Sequence, residues 1–292
     1  MLGRAGGDGL KRSAFSPIET EVGHEFNGVE LGGMVEGDTV TIQADGRDAL
    51  GHPMDHQTLN MIIRKVSLTS CRRIVLRGIL GQRYIGSAAS RPDLKIEVHG
   101  TPGHNLGAIL NGPTIEVFGN AQDLTGNTMN SGRVIVHGSA WDVTGLAARG
   151  GQILIRGDTG YRVGIHMKEY AGVKPSIVIG GSAKDYLGEY MAGGTIVVLM
   201  AHDTGSPPIG HGIGTGMHGG MIFVRGEVSH HQLGRGAVFQ EITEEDESTL
   251  GSLISDFESA FGVEMPRVWK EFTKIGPNTY RPFSGHYDPT LI

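Results

Sequence analysis

Apolar residues in the middle of the chain alternate with polar or small ones at a period of two, in short runs that return at a fixed interval. Ile96 and Val98, Ile115 and Val117, Val134 and Val136, Ile153 and Ile155, Ile177 and Ile179, Ile196 and Val198, and Ile222 and Val224 are successive copies of one pair. Such alternation marks strands with one buried face. So short a strand cannot bury that face by itself, so the copies have to stack. Stacking at a strand spacing of about 4.8 Å predicts that Ile115, Val134 and Ile153 share one interior column.

Glycine punctuates the runs. Gly100, Gly119, Gly138 and Gly157 close successive copies at intervals of 19 residues, and Gly181 follows 24 residues later. A second glycine comes seven residues after each, at Gly107, Gly126, Gly145, Gly164 and Gly188. Three residues further on stands a small or apolar residue: Leu110, Met129, Ala148, Met167 or Met191. Glycine tolerates the positive φ that tight corners demand. The spacing approaches that of leucine-rich repeats, but their leucine and asparagine columns are missing. The expected fold is all-β, a single-stranded right-handed parallel β-helix of about seven glycine-rich coils of about 19 residues each.

A parallel solenoid has two open ends, so non-repeating caps are expected at both. Residues 1–66 break the period, and Leu59, Ile62, Ile63 and Val66 have helical spacing behind Asp55 as N-cap. The repeat occupies 67–228. Residues 229–292 hold a second helix, begun by Thr243, striped by Leu250, Leu253, Ile254 and Phe257, and stopped by Gly262. An aromatic and proline-rich tail follows it, extended rather than helical.

Composition narrows the function. Glycine supplies 48 of 292 residues while proline supplies 12, which excludes collagen and a Pro/Gly linker. A net charge of -6, with no dense Lys/Arg block, argues against a nucleic-acid or anionic-membrane partner. The one cysteine, Cys71, builds neither a disulfide framework nor a zinc or iron–sulfur site. The opening MLGRAGGDGLKRSAF has no apolar core of the secretory kind, and no run spans a membrane, so the cytoplasm is the expected compartment.

Motifs for chemistry are scarce. There is no P-loop and no Gly-x-Ser-x-Gly elbow. Gly212-Ile213-Gly214-Thr215-Gly216 imitates a dinucleotide fingerprint, but a β-run follows where a helix would be needed, so it reads as a solenoid corner. The histidines near the 201–212 insertion match no metal-ligand spacing. The coil GYRVGIHMKEY, Gly160 to Tyr170, is the most unusual unit. It is read either as a contact patch for another chain or as a local Arg162–Glu169 ion pair on a wider coil. Arg162, His166, Lys168, Glu169 and Tyr170, with His202, Asp203, His211 and His218 at the insertion, are the candidate interface residues.

Several stretches carry a resemblance: GQRYIG (Gly81 to Gly86), GNAQDLTGNTM (Gly119 to Met129), GYRVGIHMKEY, LGEYMAGGTIVVL (Leu187 to Leu199), IGTGMHGGMIFVRGEV (Ile213 to Val228) and the YRPF tail. From about residue 75 onward the chain is similar to the GXGXG domain at the C-terminal end of the large subunit of glutamate synthase, above all to its stand-alone form. The same β-helix occurs in the C subunit of formylmethanofuran dehydrogenase and in its formyltransferase/hydrolase relative. The resemblance implies a structural subunit that packs an amidotransferase and an FMN-binding synthase-like partner. FMN, the iron–sulfur cluster and the cysteine nucleophile would all belong to those partners. It assigns this chain no catalytic, cofactor-binding or metal residue. The alternatives are the equivalent scaffold of a formyl-transferring complex, and an independent homo-oligomeric protein or hydrolase. The first fifty residues and the Ala201–Gly212 loop are outside the resemblance.

Overall fold

A computed structural model describes residues 25–26, 29–30, 33–45, 54–201 and 208–279. A short hairpin, β1 (Glu25–Phe26) and β2 (Val29–Glu30), precedes the main body. The body is one sheet built from β3 (Gly33–Glu36), β4 (Thr39–Gln43), β5 (Arg73–Leu80), β6 (Lys95–Thr101), β7 (Asn111–Phe118), β8 (Ser131–Val136), β9 (Gln152–Ile155), β10 (Ser176–Ile179), β11 (Ala192–Val198), β12 (Gly219–Arg225), β13 (Ala237–Gln240) and β14 (Phe272–Pro277). From β4 to β12 every neighbouring pair is parallel, one strand per turn of a solenoid. Helix α1 (His56–Ser67) lies between β4 and β5 in sequence, and α2 (Glu244–Phe261) between β13 and β14.

The predicted interior column is present. Ile96, Ile115, Val134, Ile153, Ile177, Ile196 and Ile222 sit side by side in register and are buried. Opposite the strands, each turn bends through a corner of three residues at positive φ, spaced two apart. The seven corners are centred on Gly86, Gly107, Gly126, Gly145, Gly164, Gly188 and Gly214. Seven corners bound six full turns, so the expected count of about seven coils is one too many. At the central position a side chain would enter the core. A Cβ on Gly164 (φ +70°) would lie 2.5 Å from Ile196 Cδ1, and one on Gly188 2.6 Å from Ile222 Cδ1.

The ends are closed differently. At the N-terminal end β3 turns back antiparallel on β4, and α1 inserts Leu59, Ile62 and Ile63 into the main core. Asp55 caps α1 by accepting hydrogen bonds from the Gln57 and Thr58 amides at 2.7 and 3.0 Å. At the C-terminal end β14 runs antiparallel to β12 and β13 antiparallel to β14.

Helix α2 lies along the flank of the sheet, a placement the repeat alone does not specify. It buries Leu250, Leu253, Ile254, Phe257 and Phe261 against the outward residues Ile135, Leu154, Val178, Val197 and Phe223 of five adjacent strands. The same outward column carries Glu97 and Glu116 in β6 and β7, beyond the helix. There the surface is ionic: Arg73 and Lys95 reach Glu97 at 2.8 and 3.1 Å, and Lys95 and His137 reach Glu116 at 2.7 and 2.8 Å. The helix start is fastened by a buried pair, Lys274 of β14 to Asp246 at 2.6 Å. Asp246 also accepts from the Thr243 amide and hydroxyl in a capping box. Burial alone would raise the Asp246 carboxyl, but Lys274 and Thr243 outweigh it and hold the group below its ordinary range.

Two predictions follow from this packing. Gly164→Ala adds left-handed strain and a core clash, and is expected to cost about 2 to 4 kcal/mol. Gly172→Ala, at φ +79° with open space around it, is expected to cost about 1 kcal/mol. Equal unfolding midpoints for the two variants in urea would refute the clash. Lys274→Met leaves Asp246 buried without its cation, for an expected loss of about 3 kcal/mol at neutral pH. In the native protein the folded Asp246 carboxyl lies below its unfolded value of about 3.9. That contribution is therefore complete above pH of about 4 and is lost as pH falls through the folded value. The difference between native and Lys274→Met proteins should narrow on acidification, as paired urea titrations at neutral and acid pH would measure.

Candidate interaction face at the glycine corners

The residues two before and two after each central glycine also lie at positive φ, but they point outward. They are Tyr84 and Ala88, Asn105 and Ile109, Leu124 and Thr128, Val143 and Ala147, Arg162 and His166, Tyr186 and Tyr190, and finally Gly212 and Gly216. Left-handed backbone costs an ordinary residue about 1 to 2 kcal/mol, and β-branched residues such as Ile109, Thr128 and Val143 rarely adopt it. The stack holds them there. In the first six corners each donates its amide to a carbonyl of the next turn: Ile109 to Asn127 at 2.8 Å, Val143 to Tyr161 at 2.7 Å, Arg162 to Asp185 at 3.0 Å and Tyr190 to Thr215 at 2.8 Å. The result is a rigid edge from which side chains project at the strand spacing.

At the last three corners these side chains interleave. The Arg162 guanidinium lies 5.0 Å from the centre of the Tyr186 ring and bonds the buried Glu189 carboxylate at 2.6 Å. His166 stacks on Tyr190 at 5.2 Å, nearly parallel. The far faces of both tyrosines lie against the seventh corner. A Cβ on Gly212 would stand 2.7 Å from the Tyr186 ring, and one on Gly216 2.5 Å from the Tyr190 ring. The full glycine triplet Gly212-Ile213-Gly214-Thr215-Gly216 is thus a corner, as its sequence context suggested, whose outer glycines leave room for two aromatic rings.

The sequence candidates divide. Arg162, His166 and His211 share this face; His211 is exposed, and its amide donates to Asp185 at 2.8 Å. The local Arg162–Glu169 pair is not formed, because the cation reaches Glu189 on the next turn. Lys168 keeps its amide in the ladder, bonded to the Ala148 carbonyl at 3.0 Å. Beyond it Glu169 and Tyr170 enter an exposed excursion ending near Lys174, pinched by reciprocal backbone bonds between Tyr170 and Val173. The Glu169 carboxylate instead accepts from the Gly194 amide at 3.4 Å, beside a groove of about 440 Å³ that Lys174 and His218 also line. His218 is half-buried, with Nδ1 3.4 Å from the Gly216 carbonyl. His202 and Asp203 lie outside the described residues.

Sequence reading missed the aromatic members. Tyr186 and Tyr190 are each at least 40% exposed at their corner, Ile109 is 53% exposed, and Trp141 and Tyr161 are exposed just ahead of the Gly145 and Gly164 corners. Counting two residues either side of each central glycine would have found Tyr84, Tyr186 and Tyr190. Nothing on the face pairs a nucleophile with a base. Cys71 is buried elsewhere, donating to the Arg73 carbonyl at 3.1 Å, and burial pushes its thiol above the ordinary value. Among the described residues no group of three His, Cys, Asp or Glu is placed to hold a metal ion, and no helix is long and apolar enough to cross a membrane.

Comparison with known proteins agrees with this geometry. A family model described as "GXGXG motif" matches residues 55–280. An uncharacterized protein of Methanocaldococcus jannaschii is 47% identical over 248 residues, covering 82% of this chain and 95% of the relative.

The pairing gives a direct test. Arg162→Ala strands the buried Glu189 carboxylate and is expected to cost about 1 to 2 kcal/mol, discounted because the arginine is half exposed. Glu169→Ala should change stability by less than about 0.5 kcal/mol. Urea unfolding of both variants decides it; the reverse order would restore the local pair.

Proposed function

This chain belongs to the GXGXG family, that of the C-terminal domain of the glutamate synthase large subunit, and from that premise we propose that it is a non-catalytic scaffold. In this reading it is the β-helical subunit of a glutamate-synthase-like, glutamine-amidotransferring oxidoreductase. It packs and aligns an amidotransferase subunit and an FMN-binding, iron–sulfur synthase-like subunit, and holds neither cofactor itself. The observation that carries the proposal is the exposed set of Arg162, Tyr186 and Tyr190 on a backbone locked by its neighbours, with Trp141 and Tyr161 exposed a few residues ahead of the Gly145 and Gly164 corners. Tryptophan, tyrosine and arginine dominate binding energy at protein interfaces. A rigid edge loses little conformational freedom when a partner docks.

Affinity capture of the tagged full-length chain from its own cells, with mass spectrometry and a flavin absorbance scan, tests the reading. The expected result is co-purification of an amidotransferase and a yellow synthase-like protein. Trp141→Ala combined with Tyr190→Ala should weaken that recovery about tenfold or more without changing the unfolding midpoint by more than a few degrees. An amidohydrolase-like neighbour in their place would transfer the scaffold to a formyl-handling complex. A colourless chain recovered alone in one defined oligomer would overturn the proposal.

A further inference from the structure

The backbone ladder of the corners runs in both directions, and at its N-terminal end it has no continuation. In later corners the central glycine donates its amide backward, to the preceding turn: Gly107 to Ile85 at 2.9 Å, Gly126 to Leu106 at 2.8 Å and Gly145 to Thr125 at 2.7 Å. The residue four further on does the same: Asn111 to Ala89 at 2.9 Å, Asn130 to Leu110 at 2.8 Å and Arg149 to Met129 at 2.8 Å. In the first corner the equivalent donors are the amides of Gly86 and Ser90. Among the described residues no corner precedes them, and α1 lies against the first corner. A helix cannot supply the missing acceptors, since its mid-chain carbonyls are bonded within it. Among the described residues neither amide meets a carbonyl.

Both residues line a cleft of about 540 Å³ between α1 and the first corner. Ser67, Ser87 and Ser90 line it together with the apolar Ile63, Ala89 and Leu94. Two arginines flank it. Arg91 is engaged, bonding Asp93 at 2.7 Å and the Ser67 and Thr69 carbonyls at 3.0 and 2.7 Å. Arg64, exposed on the last turn of α1, has no carboxylate partner among the described residues.

We propose that this cleft binds a small organic phosphate. Its oxygens would accept from the Gly86 and Ser90 amides and from Arg64, and its apolar arm would lie on Ile63, Ala89 and Leu94. Backbone amides without a carbonyl partner, on the same side of a turn as an unbalanced guanidinium, are chemistry that suits an oxyanion.

The test uses the isolated full-length protein with inorganic phosphate and phenyl phosphate as probes, each against sodium chloride of matched ionic strength. Amide spectra should show the Gly86 and Ser90 signals moving on titration, with phenyl phosphate the tighter probe. Arg64→Ala should weaken both by about tenfold, Arg64→Lys should keep part of the affinity, and Arg149→Ala, an exposed cation on a distant corner, should change nothing. The proposal is overturned if matched chloride has the same effect as phosphate, or if Arg64→Ala binds as well as Arg149→Ala. Tighter binding of inorganic phosphate than of phenyl phosphate would remove the apolar arm from it.

Discussion

At the middle of five of the seven corners, at Gly86, Gly126, Gly145, Gly164 and Gly188, the chain passes so close to an isoleucine of a neighbouring strand that hydrogen is the largest substituent that fits. That closeness sets where each strand begins, which strand face turns inward, and how far apart successive turns lie. It also forces the two residues flanking the glycine into the same left-handed region. The strain of those residues is tolerated because their amides bond the next turn, so no corner is stable as drawn without its neighbour. Order in this protein is therefore cooperative along one axis, as nearest-neighbour energetics of solenoids would have it.

The two kinds of corner position divide structure from recognition. Inward, the repeat varies little, because isoleucine and valine columns must meet methyl to methyl. Outward, the same backbone displays asparagine, leucine, valine, arginine, histidine and tyrosine in turn, since nothing in the stack constrains their size. The seventh corner departs from this rule for a local reason: its outer glycines lie flat against the tyrosines of the sixth. A full glycine triplet that looks like a cofactor loop in one dimension is, in three, the seat of two aromatic rings.

The fold was legible because its causes are periodic. Glycines 19 residues apart and paired isoleucines announce stacked strands without any tertiary knowledge, and the caps of both helices follow local chemistry at Asp55, Thr243 and Gly262. The face was less legible because it depends on which turns become neighbours. Arg162 finds Glu189, 27 positions on, because the excursion near Tyr170 lengthens that turn; a search confined to its own coil meets Glu169 first. The seat of α2 was written in the outward column, where Glu97 and Glu116 give way to Ile135 and Leu154, but only a reading of both strand faces reveals it.

Helix α2 crosses five strands that would otherwise be joined only to their immediate neighbours. It acts as a splint. Turns beneath it open together or not at all, whereas those built on β5, β6 and β7 can detach one at a time from the far end. The molecule thus has a soft end and a stiff end along a single axis, and amide exchange should be graded accordingly, slow from β8 to β12 and progressively faster toward β5. A rod made of near-identical units acquires a polarity of stiffness from one helix laid along part of its side.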